Sequence, residues 1–124
     1  NILLQGLERC EIQEEHFEKP YREATIHLTP RLEEERLPAD VRRALVELLG
    51  RYLQAREDST AWQGFFRDDV SDEVLVNTLS TYLECTPLEK QFLLEADGLR
   101  QRAGRLNDLI QFMLFDPHRT KDWE

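Results

Sequence analysis

A change in the spacing of apolar residues constrains this chain more than any other feature of its sequence. Over residues 21–28, ahead of Pro30, polar and apolar residues alternate, and beyond Pro38 apolar residues recur at every third or fourth position. The second pattern runs through Val41, Ala44, Leu45, Leu48, Leu49, Tyr52 and Leu53. Such spacing is typical of one face of an α-helix. Pro38 suits the first turn and Asp40 complements the positive end of the helix dipole, so a helix is predicted here.

The first thirty residues predict a β-hairpin. Residues 2–12 (ILLQGLERCEI) are predicted as one strand, in which Gly6 marks a bulge or bend. A polar connection over residues 13–19 leads to a second strand over residues 21–28, which alternates polar and apolar positions. A lone hairpin is only marginally stable in water, so further strands, a helix or a partner chain should cover it.

Three further helices are predicted after the first. One begins after Ser71 as N-cap and carries apolar residues on one face to Leu83, and the next begins at Thr86-Pro87-Leu88-Glu89, which has the pattern of a capping box. Gly98 marks a break before a last helix from about Leu99 to Phe115, which Pro117 ends. The predicted fold is mainly α: a hairpin at 1–30, a linker at 31–37 and a bundle of four to five helices at 38–124.

Composition excludes several classes of function. The net charge of -9, from 25 acidic and 16 basic residues, disfavours nucleic acid as a partner because phosphate backbones are repelled. No apolar run approaches the roughly 20 residues of a membrane span. Cys10 and Cys85 lack the CxxC spacing, which indicates a reducing, cytoplasmic setting. The chain opens on Asn1 and passes directly into an apolar run, which suggests that it was cut from a longer protein.

Residues that could carry chemistry are present but lack the required partners. His16 lies among glutamates in the predicted hairpin connection without a second histidine at helical spacing, so a solvated loop residue is favoured over a metal ligand. Cys85 precedes a helix start but has no Cys/His signature around it. The glycines form no phosphate-binding motif, and the run Glu33-Glu34-Glu35 is typical of a solvated surface. We therefore predict no catalytic, cofactor-binding or metal-binding residues, and no enzymatic activity.

An aromatic cluster is the one candidate for a binding site. Trp62, Phe65 and Phe66 follow a polar stretch at helical spacing. They could form an exposed anchor for an apolar segment of another protein. The favoured interpretation is that they cap the core of the bundle.

Several segments, taken together, resemble the amino-terminal domain of the Lon proteases. The segment Asn1–Arg9 is similar to a family strand with a Gly–hydrophobic–x–Arg pattern, and residues 20–24 resemble the start of the next strand. In the helical half the similar segments are residues 75–83, Leu88–Glu95, Arg100–Arg102 and Leu106. Their order and spacing cover nearly the whole chain.

The resemblance implies a fold and a function. The family domain begins with a PUA-like β-barrel and ends in a helical bundle, so this chain would hold the last two barrel strands and the bundle. The implied role is recognition of unfolded or damaged polypeptides for proteolysis carried out elsewhere, in a bacterial free-standing member. The exposed hairpin edge could also pair with another copy to form a homo-oligomer. The alternative is a structural or oligomerisation module that binds no client.

Overall fold

The computed structural model describes residues 2–29, 35–55 and 69–115 of the chain. Within these ranges the elements are β1 (Cys10–His16), β2 (Glu23–Leu28), α1 (Ala39–Ala55), α2 (Asp72–Tyr82), α3 (Pro87–Leu94) and α4 (Gly98–Phe115). The chain divides into two units, Asn1–Glu34 and Glu35–Glu124, and each is described by itself below. The mainly helical fold with an N-terminal hairpin is thus as predicted.

Helix α1 forms where the apolar stripe predicts it. Its buried residues are Leu45, Leu48, Leu49, Tyr52 and Leu53. All five belong to the predicted stripe, and they lie in the core of the helical unit. The prediction of this helix is confirmed, because a single continuous apolar face can be removed from water only by packing against other helices.

The caps of α2 and α3 are also as predicted. The Ser71 hydroxyl accepts the N–H of Val74 at 3.2 Å and closes the first turn of α2. At α3 the Thr86 hydroxyl accepts the N–H of Glu89 at 3.1 Å, and the Glu89 carboxylate accepts the N–H of Thr86 at 2.9 Å. These reciprocal bonds satisfy two backbone donors that the helix itself cannot pair.

Helix α4 is the centre of the helical unit, since α1, α2 and α3 all pack against it. Its predicted apolar positions are all buried: Leu99, Ala103, Leu106, Ile110 and Met113. Gly98, where a break before the last helix was predicted, has a φ of +80°. Glycine adopts this backbone conformation without steric cost. The predicted helical bundle is therefore present.

The carboxylates of Asp72 and Glu35 form hydrogen bonds that fix the segment leading into α1. Asp72, at the start of α2, accepts the N–H of Leu37 at 2.7 Å and pairs with Arg42 at 2.5 Å. Glu35 accepts the N–H of Leu99 at 2.7 Å, at the first turn of α4. Glu35 is exposed, as predicted for the run Glu33-Glu34-Glu35. It also accepts the Leu99 N–H, which has no partner within the first turn of α4. Glu33 and Glu34 lie outside the described residues.

The first strand lies further along the chain than predicted. Residues 2–9 have no regular secondary structure, and β1 begins at Cys10, opposite Leu28. The connection between the strands is shorter than expected and places His16 directly opposite Glu23. These two residues form the last pair of the hairpin, so β1 ends at His16. The prediction of a strand over 2–12 was wrong at both ends, because a hairpin's register is set by its turn rather than by apolar content alone.

Two smaller predictions about the hairpin were also wrong. The irregularity in register lies between Ile12 and Glu14, not at Gly6, which precedes β1. His16 is the last residue of β1 rather than a loop residue, and its Nε2 lies 2.8 Å from the Thr25 hydroxyl oxygen. The PUA-like barrel and the three-part division of the chain stay predictions.

Candidate polypeptide-binding surface

Helix α3 exposes large apolar side chains on successive turns. Leu88 is 82% exposed and Phe92, four residues later, is 42% exposed. The helix buries Leu93 instead, which faces the core. Residues four apart lie on the same side of a helix, so Leu88 and Phe92 form one row directed away from the core.

Helix α4 contributes a second row that meets the first. The guanidinium of Arg105 lies over the ring of Phe92, 4.5 Å from its centroid, and its Nη1 donates to the Phe92 carbonyl oxygen at 2.6 Å. Phe112 lies seven residues, about two turns, beyond Arg105 on the same side of α4, and is 53% exposed. We call Leu88, Phe92, Arg105 and Phe112 the α3–α4 surface.

A shallow groove lies on the other flank of α3. It is lined by Cys85, Pro87, Lys90, Gln91 and Leu94 and has a volume of about 550 Å³. The ammonium group of Lys90 donates to the carbonyl oxygen of Thr81 at 3.1 Å and is thereby held beside the groove. Leu94 is 56% exposed, so α3 presents apolar side chains on both of its outer flanks.

The hairpin exposes a separate apolar face. Ile12 and Ile26 lie directly opposite each other on β1 and β2, and they are 62% and 48% exposed. Leu28, two residues beyond Ile26 on the same face, is 52% exposed. The opposite face is polar and pairs Glu11 with His27. Within residues 2–29 the sheet thus has one apolar and one polar face.

Sequence reasoning placed the candidate binding residues elsewhere. Trp62, Phe65 and Phe66 lie outside the described residues, so their assignment stays a prediction. The exposed residues of α3 and α4 were missed as a site. A signal was present: four of the eight residues of α3 are leucine or phenylalanine, more than one buried stripe of a short helix can hold.

The described part of the chain contains neither a cluster of metal-binding side chains nor a membrane-spanning helix. Among residues 2–29, 35–55 and 69–115, no group of three or more His, Cys, Asp or Glu side chains is arranged to hold a metal ion. Across the same residues, no helix has the length and apolar character needed to span a membrane. Cys10 is exposed and Cys85 is buried, and neither forms a disulfide.

Comparison with known proteins identifies the family. No curated protein and no solved structure matches the chain. The family model of the ATP-dependent protease La (Lon) substrate-binding domain matches residues 1–111, which include both strands, the first three helices and most of α4. The match is to the substrate-binding domain and not to a protease domain. The chain therefore belongs to the Lon substrate-binding domain family.

Proposed function

We propose that this chain binds unfolded or damaged polypeptide segments through the α3–α4 surface, for proteolysis carried out elsewhere. The observation that carries the proposal is the exposure of Leu88 and Phe92 on α3 and of Phe112 on α4, although the core beneath them is closed. Exposed apolar side chains grouped on one surface are typical of sites that contact other proteins. Family membership supports substrate recognition as the purpose of that contact.

The chemistry of the surface suits clients of varied sequence. Leu88, Phe92 and Phe112 offer non-directional apolar contact, which depends on buried area rather than on one fixed arrangement of partners. An unfolded polypeptide exposes the apolar side chains that a folded one buries. Such a surface therefore distinguishes unfolded from folded proteins without selecting a single sequence.

A binding titration tests the proposal directly. The probe is a small protein kept unfolded by reduction and alkylation of its disulfides, labelled with a fluorophore and followed by anisotropy. We expect Leu88→Ser combined with Phe112→Ser to weaken binding by about tenfold or more, since truncating central apolar contacts removes most interface energy.

The matched control is Val74→Ser, which removes an apolar side chain of similar exposure (52%) from the first turn of α2. We expect this variant to bind like the unmodified chain, and the folded form of the probe to bind neither. Equal loss in both variants, or no binding by the unmodified chain, would contradict the proposal.

The exposed hairpin supports a second candidate, assembly of copies of this chain. The apolar face formed by Ile12 and Ile26 could pack against the same face of another copy. Sedimentation velocity over a range of concentrations tests this. Ile26→Lys should shift the chain to monomer, whereas His27→Lys on the opposite face should not. A monomer at every concentration excludes this candidate and leaves the first intact.

We infer further that the chain acts as a binding module with no catalytic part of its own. The match to a substrate-binding domain supports this, since catalysis would then lie outside the matched region. The cytoplasmic location and the bacterial origin stay predictions from the sequence.

A further inference from the structure

We infer that Arg105 is the polar anchor of the α3–α4 surface and donates hydrogen bonds to main-chain carbonyl groups of the bound polypeptide. The inference rests on the proposed function and names the group of the client that the surface contacts besides apolar side chains. Arg105 would thus bind the client polypeptide directly, in addition to its contacts between α3 and α4.

The position of the Arg105 guanidinium is determined by two contacts. Its central carbon lies over the Phe92 ring, 4.5 Å from the centroid, and its Nη1 donates a hydrogen bond to the Phe92 carbonyl at 2.6 Å. The ring contact and the hydrogen bond together restrict the rotamers of a long side chain before any partner binds. An arginine ordered in advance loses less conformational entropy on binding, which raises its contribution to affinity.

Only part of the hydrogen-bonding capacity of this guanidinium is used within the chain. A guanidinium has donors on all three nitrogens, and among the described residues those on Nε and Nη2 of Arg105 have no partner. Phe92 lies in the last turn of α3, where the Gln91 and Leu93 carbonyl groups accept the N–H groups of Glu95 and Ala96. The Nη1 bond of Arg105 pairs the Phe92 carbonyl in the same turn and so helps to cap the helix. Capping accounts for one nitrogen and leaves the others for a ligand.

The charge of the chain favours an uncharged acceptor over a carboxylate. The net charge is -9, and Asp108 lies one turn beyond Arg105 on the same side of α4. An acidic client side chain would be repelled by both. A main-chain carbonyl accepts the same hydrogen bonds without that repulsion. Because every polypeptide carries such carbonyls, Arg105 can serve clients that differ in sequence.

Three peptides separate main-chain from side-chain recognition. Each is about twelve residues long with the same leucine and phenylalanine core, long enough to cross both rows. One is otherwise uncharged, one carries two glutamates beside the core, and one carries two lysines. Anisotropy titrations are made at about 50 mM and about 500 mM salt, to separate long-range charge effects from direct contact.

At about 500 mM salt we expect Arg105→Ala to weaken binding of all three peptides by the same factor, about tenfold, as for loss of hydrogen bonds from a charged donor. The matched control is Arg100→Ala, which removes the same charge from the exposed side of α4 away from Phe92 and should leave the high-salt affinities unchanged.

Each other outcome has a definite meaning. A loss confined to the glutamate peptide overturns the inference, because the guanidinium would then contact carboxylate side chains. Unchanged affinity for all three peptides also overturns it and leaves Arg105 as a helix cap, which a lower urea midpoint of unfolding would show. If the unmodified chain binds none of the peptides, the proposed function itself fails.

Discussion

Replacing Asp72 by asparagine should destabilise the helical unit through two identified contacts. The Asp72 carboxylate accepts the N–H of Leu37 at 2.7 Å and pairs with Arg42, and the two side chains of the pair are only 13% and 18% exposed. A hydrogen bond to a charged acceptor contributes about 1.5 kcal/mol. A partly shielded ion pair adds about 1 kcal/mol. An amide keeps one weaker acceptor, so the expected loss is about 2 kcal/mol.

Urea unfolding followed by far-ultraviolet circular dichroism measures this loss. With a slope of about 1.5 kcal/mol per molar urea, the midpoint should fall by more than about 1 M. The control is Asp40→Asn, which removes an exposed carboxylate from the first turn of α1 and should cost about 0.5 kcal/mol through the helix dipole alone. Equal midpoints for the two variants would refute the assignment of stability to the Asp72 contacts.

Further predictions concern pH and glycine. Burial by itself raises the pKa of Asp72, but the Leu37 N–H and Arg42 outweigh burial and hold that pKa below its usual value. The stability that Asp72 provides is therefore present above about pH 4 and lost as pH falls through the lowered pKa. Urea midpoints of the unmodified chain and Asp72→Asn should converge on going from about pH 6 to about pH 3, and a constant difference would contradict this. Gly98→Ala should destabilise by about 1 kcal/mol, because φ is +80° and the new Cβ would lie 3.2 Å from Glu35 Oε1. Gly104→Ala, in open space on the same helix, should instead stabilise by about 0.5–1 kcal/mol, and thermal unfolding of both variants checks the opposite signs.

The helices could be predicted closely because their determinants are local. The capping box joins Thr86 and Glu89, and the stripe of α1 repeats within each turn, so neighbours in sequence carry the signal. The hairpin was predicted as an element, and its second strand was placed to within two residues, but its first strand was misplaced. Its strands pair according to the turn between them. Residues 2–9 begin with a strand-like apolar run but have no partner strand among the described residues.

The candidate surface could not be predicted to the same degree. Leucine and phenylalanine in α3 look alike in sequence whether they face the core or water, and only the packing of α3 on α4 separates buried Leu93 from exposed Leu88. The aromatic residues that stood out in the sequence, Trp62, Phe65 and Phe66, lie outside the described residues. The family resemblance, by contrast, was visible in the sequence and is confirmed by the match over residues 1–111.

The sequence by itself determined the helix boundaries, the caps and the family, since each depends on residues a few positions apart or on their order along the chain. Tertiary structure alone decided which distant groups meet. Asp72 lies 35 residues from Leu37, and Glu35 lies 64 residues from Leu99. Arg105 reaches Phe92 only because α3 and α4 pack together. Such contacts depend on how helices stack, and no local pattern of residue types records that arrangement.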